Sequence, residues 1–281
     1  MRQLIKNILL VIAPSIIKKR VFGHYELLSW ENLSVLEFDA ELMLLEFLVH
    51  KNSVFFDIGA NKGEYVYYAE NFIESKHIYV FEPQKKLYKQ LKAVFKNAQV
   101  FDVALSDKKG IHLLKTPIIN GHADNCLSSL EVKHIEDNEE DAIEYEVKTD
   151  TLDAFTVSYQ VFPDLIKIDV EGHELSVLKG AENYILKHHP TLIIEIEQRH
   201  HADINIDLVF KSFSEQGYQA YYYSKKKSQL FSYLDKTNLT NSKDYFGKID
   251  YINNYIFIHT SNTSIKSIDA MNKAISQKIK A

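Results

Sequence analysis

The sequence is poor in cysteine, proline and glycine, and each shortage excludes a class of protein. Its 281 residues contain one cysteine, Cys126, which excludes an intramolecular disulfide and a cysteine-rich zinc site. Such a composition is typical of a reducing compartment, and we expect a cytoplasmic protein. Only 9 glycines and 5 prolines are present, which argues against a flexible linker between domains.

The chain also lacks an excess of positive charge and a long apolar run. Its formal net charge is −5, so we expect no nucleic-acid partner. The apolar run at residues 8–17 is about half a membrane span, and Pro14 interrupts it. We expect residues 1–20 to form a helix that packs on the domain or on a partner. The alternatives are a basic anchor that makes peripheral membrane contact, and a secretion signal.

Short apolar runs alternate with amphipathic stretches, which predicts a mainly parallel sheet covered by helices. The predicted strands are 54–58, 77–81, 99–103, 165–169, 191–196, 218–223 and 255–259. Helices are expected after the first two strands, at 173–187 with a break at Gly180, and at 208–217. No clear helix separates the last two strands, which predicts a closing pair with one strand antiparallel to the rest.

The chain divides into a helical extension at 1–50, an α/β domain at 51–260 and a tail at 261–281. Residues 104–164 form an insertion between sheet strands, with short strands predicted at 111–115 and 145–148 and an acidic run at 136–141. A connection this long is a candidate substrate loop, and the alternative is a mobile surface loop.

A turn between the first strand and its helix is the strongest local signal, Asp57-Ile58-Gly59-Ala60-Asn61-Lys62-Gly63. Glycines permit positive φ and close approach of a ligand to the backbone. The helix N-terminus beyond them offers free amide donors and a partial positive field. A tight turn explains the glycines almost as well, so the pattern alone is weak evidence.

Glu82 strengthens the case, because it ends the second strand about 20 residues after the turn, where an acid accepts hydrogen bonds from ribose hydroxyls. The two features together predict a cofactor of the adenosine type. A dinucleotide fold usually has glycine where Asn61 stands, and Asp57 disfavours a pyrophosphate. The carboxylate of Asp57 fits S-adenosyl-methionine, which carries an ammonium and a sulfonium. An NAD(P)-dependent oxidoreductase and a non-catalytic binding protein of the same fold remain the alternatives.

Ordered motifs over about residues 50–260 resemble the FkbM-type methyltransferases. They are Asp57–Gly63, Phe81-Glu82-Pro83, Val103-Ala104-Leu105-Ser106-Asp107, Lys167–Glu174, Leu178-Lys179-Gly180-Ala181 and Asn254–Ile258. The resemblance implies the Rossmann-like class I methyltransferase fold. That fold has a seven-stranded, mainly parallel sheet with an antiparallel last strand and helices on both faces. The resemblance also implies S-adenosyl-methionine as the cofactor.

The resemblance further implies a cofactor site built from three segments. The turn would line the methionine end of the cofactor through Asp57, Gly59 and Asn61, with Ala60 and Gly63 in the same turn. The second segment would hold the ribose through Glu82 and shape the adenine side through Pro83. The third segment, at the end of the third strand, would flank the adenine through Asp102 and Val103.

Asp169 ends the fourth predicted strand, at the sheet edge where ligands bind in open α/β folds. Acidic residues and a histidine gather there and at the end of the next strand: Asp169, Glu171, His173, Glu195 and Glu197. Two mechanisms stay open. Either His173 or a carboxylate, Asp169 or Glu171, acts as general base. Or Asp169, Glu171 and Glu195 hold a divalent cation, for which oxygen ligands favour Mg²⁺.

These residues also have a structural explanation, since Glu171 can shape a turn and His173 can cap a helix. We nevertheless expect an O-methyltransferase that acts on a hydroxyl of a sugar, a glycan or another small molecule. The acceptor class follows from the family resemblance, since a fold does not fix a function. A basic N-terminal helix is compatible with work near a membrane, where glycolipid acceptors lie.

Overall fold

The strands form where the sequence has short runs of β-branched and aromatic residues. The structure, a computed structural model, describes residues 14–33, 38–119, 122–123, 128–130, 142–201 and 204–280. Its strands are β1 (Phe55–Ile58), β2 (Ile78–Phe81), β3 (Gln99–Phe101), β4 (Ala104–Leu105), β5 (Gly110–Ile119), β6 (His122–Ala123), β7 (Ala142–Asp150), β8 (Leu165–Ile168), β9 (Thr191–Glu195), β10 (Tyr218–Ser224), β11 (Gln229–Ser232) and β12 (Asn254–His259).

The helices follow the amphipathic stretches and cover the sheet. They are α1 (Pro14–Phe22), α2 (Glu41–Leu48), α3 (Glu64–Ala69), α4 (Lys85–Val94), α5 (Leu152–Tyr159), α6 (Glu174–Lys179), α7 (Glu182–His188), α8 (Asp207–Glu215) and α9 (Ile268–Lys280). None of the described helices is long and apolar enough to cross a bilayer.

The main sheet has the order β11-β10-β12-β9-β8-β1-β2-β3. The central pairs are parallel, while β12 runs antiparallel to both β9 and β10. All residues of β1 and β8 are buried, as a parallel sheet covered on both faces requires. The predicted fold class is therefore confirmed, including the antiparallel last strand.

The strand count differs from the prediction, because the sheet has eight strands and not seven. The extra strand, β11, pairs with β10 as an antiparallel hairpin across a polar turn. Because β11 has only four residues of mixed polarity, its sequence pattern is too weak to predict a strand. Asn272 of α9 bonds to the outer edge of β11, accepting from Leu230 N–H at 2.8 Å and donating to its carbonyl at 3.0 Å. This contact covers a strand edge that would otherwise be free to pair with another chain.

Alternate strand residues point to opposite faces and build two hydrophobic cores. One core contains Phe55 and Leu165 and is covered by residues 22–33 and 38–48, α3, α4 and α9. The other contains Phe56 and Ile166 and is covered by α5 to α8. Helix α1 packs on the first core through Phe22, and its Ile17 is also buried, whereas residues 1–13 lie outside the described part of the chain. The first and the last described helix, α1 and α9, thus both help to cover the sheet.

A second sheet forms within the predicted insertion, with the order β4-β7-β5-β6. Strands β5 and β7 pair antiparallel from Gly110 opposite Thr149 to Pro117 opposite Ala142. The described part of residues 104–164 is therefore more regular than a single loop, and it also includes α5, which packs on the main sheet. The acidic run at 136–141 and Cys126 lie outside the described residues.

The predicted break at Gly180 separates α6 from α7. A Cβ atom at Gly180 would lie 1.9 Å from the carbonyl oxygen of Ser106, so the helix can approach this backbone only where no side chain is present. The approach joins the motif at 178–181 to the motif at 103–107, two segments that are distant in the sequence.

Replacing Gly180 with alanine should destabilise the fold by roughly 1–3 kcal/mol, because the methyl group overpacks a backbone contact. Urea denaturation followed by circular dichroism would measure the change. Gly23→Ala is the matched control, since a Cβ there meets only Lys19 Cγ at 3.8 Å. Equal midpoints for Gly180→Ala and the wild type would contradict the proposed contact.

Candidate functional site

A cleft of about 800 Å³, counting its open mouth, lies at the carboxyl ends of β1, β2 and β8. Its lining combines apolar side chains with a few polar groups, as the sites of small ligands usually do. Residues from both groups of predicted site residues line it: Gly59, Asn61, Glu82, Pro83, Asp169, Glu171 and His173. The fold therefore brings the predicted cofactor turn and the predicted catalytic residues to one cavity.

Gly59 is required by a contact within the protein. It has φ +79°, and a Cβ there would lie 1.8 Å from the carbonyl oxygen of Asp169. The Asp169 N–H in turn donates to the carbonyl of Ile58 at 3.1 Å. Gly63 has φ +94° and packs against Leu91 of α4 and Phe95 just after that helix, and a Cβ there would lie 2.6 Å from Leu91 Cδ2. The two glycines thus allow the turn to pack closely on the protein interior, while Gly59 and Asn61 of the same turn line the cleft.

The carboxylate of Glu82 is held by two backbone amides. The N–H groups of Asn61 and Gln84 each donate to one of its oxygens at 2.8 Å. Glu82 is 3% exposed, and burial raises its pKa to about 8, although the two amides lower it. A carboxylate fixed in this way keeps lone pairs for further donors, such as a pair of ligand hydroxyls.

Asp57 is a buried carboxyl group without a partner. It is 1% exposed, and neither oxygen has a hydrogen-bond partner in the part of the chain that the structure describes. Burial raises its pKa to about 7, opposed by the positive charge of Lys167. An unpaired buried carboxylate is costly, so a cationic ligand group beside it would be strongly favoured.

Lys167 is the site residue that the sequence pattern does not single out. It is 3% exposed, and its Nζ donates to Asp169 Oδ2 at 2.7 Å and lies 4.5 Å from the centre of the Tyr65 ring. Asp57 is its direct neighbour in the β1–β8 register. Burial alone would lower the pKa of Lys167, but Asp169 and Asp57 raise it above its ordinary value. In the sequence, the feature that could have identified it is a single lysine within a strand whose other residues are apolar.

Three carboxylates meet where β8 and β9 end. Asp169, Glu171 and Glu195 each offer an oxygen within 4.8 Å of the other two. Burial and the negative charge of Asp169 raise the pKa of Glu195 well above its ordinary value. The structure thus groups the three residues that the sequence analysis names as a conditional metal site.

Glu197 is held elsewhere. Arg199 binds both of its oxygens, at 2.8 and 2.7 Å, and the hydroxyl of Tyr251 donates to it. Burial opposes them, but these bonds hold the pKa of Glu197 below its usual range. Its carboxylate is therefore committed to an internal ion pair.

His173 lines the cleft and contacts the motif at 103–107. Its Nε2 lies 2.9 Å from Ser106 Oγ, and both side chains are buried. Behind it, Glu174 Oε2 lies 3.0 Å from His201 Nε2, while Glu174 Oε1 accepts from the Gly172 N–H at 2.8 Å. No sequence pattern pointed to His201, because the fold alone brings it beside Glu174.

The remaining predicted cofactor residues lie off the cleft surface. Asp57 is buried beneath the turn, and the lining does not include Ala60, Gly63, Asp102 or Val103. The lining continues instead with residues further along the chain. They are Ala104, Leu105, Leu114, Ser128 and Leu130. Long-range packing of the second sheet decides this part of the lining, so local spacing could not identify it.

Comparison with known proteins identifies one family and several similar structures, two of which are described below. The family described as the methyltransferase FkbM domain matches residues 57–220, more than half of the chain. Among curated proteins, none matches the sequence.

Of the solved structures, methyltransferase FkbM from Methylobacillus flagellatus KT is similar over 81% of this chain and 48% of its own. The identity is 17% and the TM-score 0.48. The chain thus spans about half the length of that structure. Precorrin-6y C5,15-methyltransferase from Geobacter metallireducens GS-15 is similar over 77% of this chain and 84% of its own, with 13% identity and a TM-score of 0.35.

Replacing Asp57 with asparagine should stabilise the ligand-free protein at pH 8 but not at pH 4. The folded-state pKa of Asp57 is raised, so its contribution to stability is present below the unfolded pKa of about 4 and is lost as pH rises towards 7. Asparagine does not titrate, so the variant lacks this dependence of stability on pH. The gain at pH 8 should be roughly 2–4 kcal/mol by urea denaturation. The same gain at both pH values would show that Asp57 is not the titrating group.

Proposed function

The chain belongs to the FkbM methyltransferase family, and from that premise we propose that it transfers a methyl group from S-adenosyl-methionine to a hydroxyl group. The acceptor is a sugar, a glycan or another small molecule. The observation that carries the proposal is a pair of acidic side chains: Glu82 lines the cleft and is fixed by two amides, and Asp57 lies buried beneath the adjoining turn, with no hydrogen-bond partner among the described residues.

The residues present fit this cofactor. Asp57 would pair with its ammonium group, and Glu82 would accept hydrogen bonds from the ribose hydroxyls. Pro83, Leu105 and Leu130 give an apolar wall for the adenine. When bound, the cofactor supplies a methyl group activated by a positively charged sulfur. Two features count against the oxidoreductase alternative: Asn61 stands where a dinucleotide fold usually has glycine, and the buried carboxyl group of Asp57 disfavours a pyrophosphate.

Asp169 is our first candidate for general base. Its Oδ2 accepts from Lys167, which fixes the carboxylate at the cleft and leaves Oδ1 for the acceptor. The acceptor O–H bond would break towards Asp169 as the oxygen bonds to the methyl carbon and the carbon–sulfur bond breaks. Glu171 and His173 line the same cleft and are the next candidates. Holding the acceptor in line with the methyl group supplies much of the remaining rate.

Membrane contact through residues 1–20 and a cytoplasmic location stay predictions. Within α1, the outward face carries Ile16, Lys19 and Arg20, a mixture of apolar and basic side chains that suits an anionic lipid surface. Flotation with anionic vesicles should therefore weaken in a Lys19→Glu/Arg20→Glu variant. Equal flotation of variant and wild type would contradict the contact.

Calorimetric titration with S-adenosyl-homocysteine tests the cofactor directly. We expect one site per chain and no binding of NAD⁺. Glu82→Ala should weaken binding by at least about tenfold, because charge-assisted hydrogen bonds are each worth about 1.5–3 kcal/mol. Glu215→Ala, at an exposed glutamate of α8, is the control and should bind normally.

A cooperatively folded wild type that does not bind S-adenosyl-homocysteine would overturn the proposal, and binding of NAD⁺ in its place would favour the oxidoreductase. If the homocysteine product binds but no hydroxyl acceptor in a sugar, glycan and small-molecule screen is methylated, the non-catalytic alternative gains support.

A further inference from the structure

The three carboxylates at the ends of β8 and β9 concentrate negative charge at one point. Oxygens of Asp169, Glu171 and Glu195 lie within 4.8 Å of one another, a distance at which ionised carboxylates repel strongly. Lys167 is a buried cation beside them: its Nζ donates to Asp169, and its charge also acts on Asp57 and Glu195. One ammonium group is thus shared among several acids.

Two of the three carboxylates are oriented by a neighbour that occupies one of their oxygens. Lys167 Nζ donates to Asp169 Oδ2 at 2.7 Å, and Asn253 Nδ2 donates to Glu195 Oε1 at 2.6 Å. Each contact leaves the second oxygen of that carboxylate for a ligand. Outer contacts of this kind hold the ligands of metal ions in proteins at a fixed orientation.

Asn254 supplies an independent observation. It is 3% exposed, and its side-chain carbonyl Oδ1 has no hydrogen-bond partner among the described residues. In the β9–β12 ladder Asn254 lies directly opposite Glu195, so the two side chains are on the same face of the sheet. A buried amide oxygen without a partner is costly, which points to a ligand beside Glu195.

We propose that Asp169, Glu171 and Glu195, together with Oδ1 of Asn254, bind a divalent cation of the Mg²⁺ or Mn²⁺ type at the acceptor side of the cleft. The donors are all oxygen atoms, which these hard cations prefer, and the site holds no thiolate or imidazole that would favour zinc. The inference rests on the proposed function. With Asp169 as a ligand, the cation would take the place of a general base: it would bind the acceptor oxygen and ease loss of its proton to solvent before the methyl group is transferred.

Direct cation binding tests the site without measuring activity. The full chain would be stripped with a chelator and titrated with Mn²⁺, with free Mn²⁺ followed by electron paramagnetic resonance. We expect one Mn²⁺ per chain, displaced by excess Mg²⁺. Glu195→Gln should weaken binding by roughly tenfold or more, and Asn254→Ala should weaken it less, since it removes a neutral donor.

Glu64→Gln is the matched control, because it removes the same charge from a neighbouring glutamate outside the site. Its Mn²⁺ affinity should stay within about threefold of the wild type, as expected for a charge effect alone. Thermal unfolding of each stripped variant checks that it is folded. Absence of Mn²⁺ binding at millimolar concentration, or an equal loss in Glu64→Gln and Glu195→Gln, would overturn the site.

Titration of the same samples with S-adenosyl-homocysteine separates the two proposals. Cofactor-product binding without Mn²⁺ binding would overturn the cation site and leave the proposed function intact. Mn²⁺ binding by a protein that does not bind the cofactor product would overturn the proposed function instead. Binding of both, with Mn²⁺ lost only in Glu195→Gln and Asn254→Ala, is the result that supports the cation site.

Discussion

The buried ammonium of Lys167 is the interaction on which the site depends. It lies inside the central strand β8, beside Asp57 of β1 and bonded to Asp169 at the strand end. Without it, acids on two adjacent strands would face each other in a region of low dielectric, where repulsion is strong. The lysine thereby allows one sheet edge to carry several carboxylates, and those carboxylates would favour a positively charged group in the cleft.

The buried acids of the site lower the stability of the ligand-free protein, and ligand binding would offset that cost. Asp57 and Glu82 are more than nine-tenths buried, and burial raises the pKa of each. Glu82 is compensated by two backbone amides, whereas Asp57 has no hydrogen-bond partner among the described residues. A ligand that brings a cation to Asp57 would remove this cost, so the protein should be more stable with the ligand bound than without it. Binding sites commonly lower the stability of the ligand-free protein in this way.

Close backbone contacts hold the site together from beneath. Gly59 lets the turn after β1 touch the end of β8, and Gly180 lets α6 approach the segment that carries Ser106. Ser106 in turn contacts His173, so motifs from three distant parts of the sequence form one continuous wall. Leu114 of the second sheet and Leu130 also line the cleft. The motifs therefore contain residues that contact one another in the folded protein as well as residues that line the cleft.

Local pattern in the sequence determined the parallel sheet, the antiparallel β12, the break at Gly180 and the strand-end position of Glu82 and Asp169. Strand periodicity, turn residues and strand ends are set by neighbours in the chain, which is why they could be predicted. Only the tertiary structure decided the partners: Lys167 beside Asp57, His201 beside Glu174, Asn254 opposite Glu195, and Leu114 in the wall of the cleft. These contacts join residues that are far apart in sequence, and their energies come from burial and charge that exist only after the chain has packed.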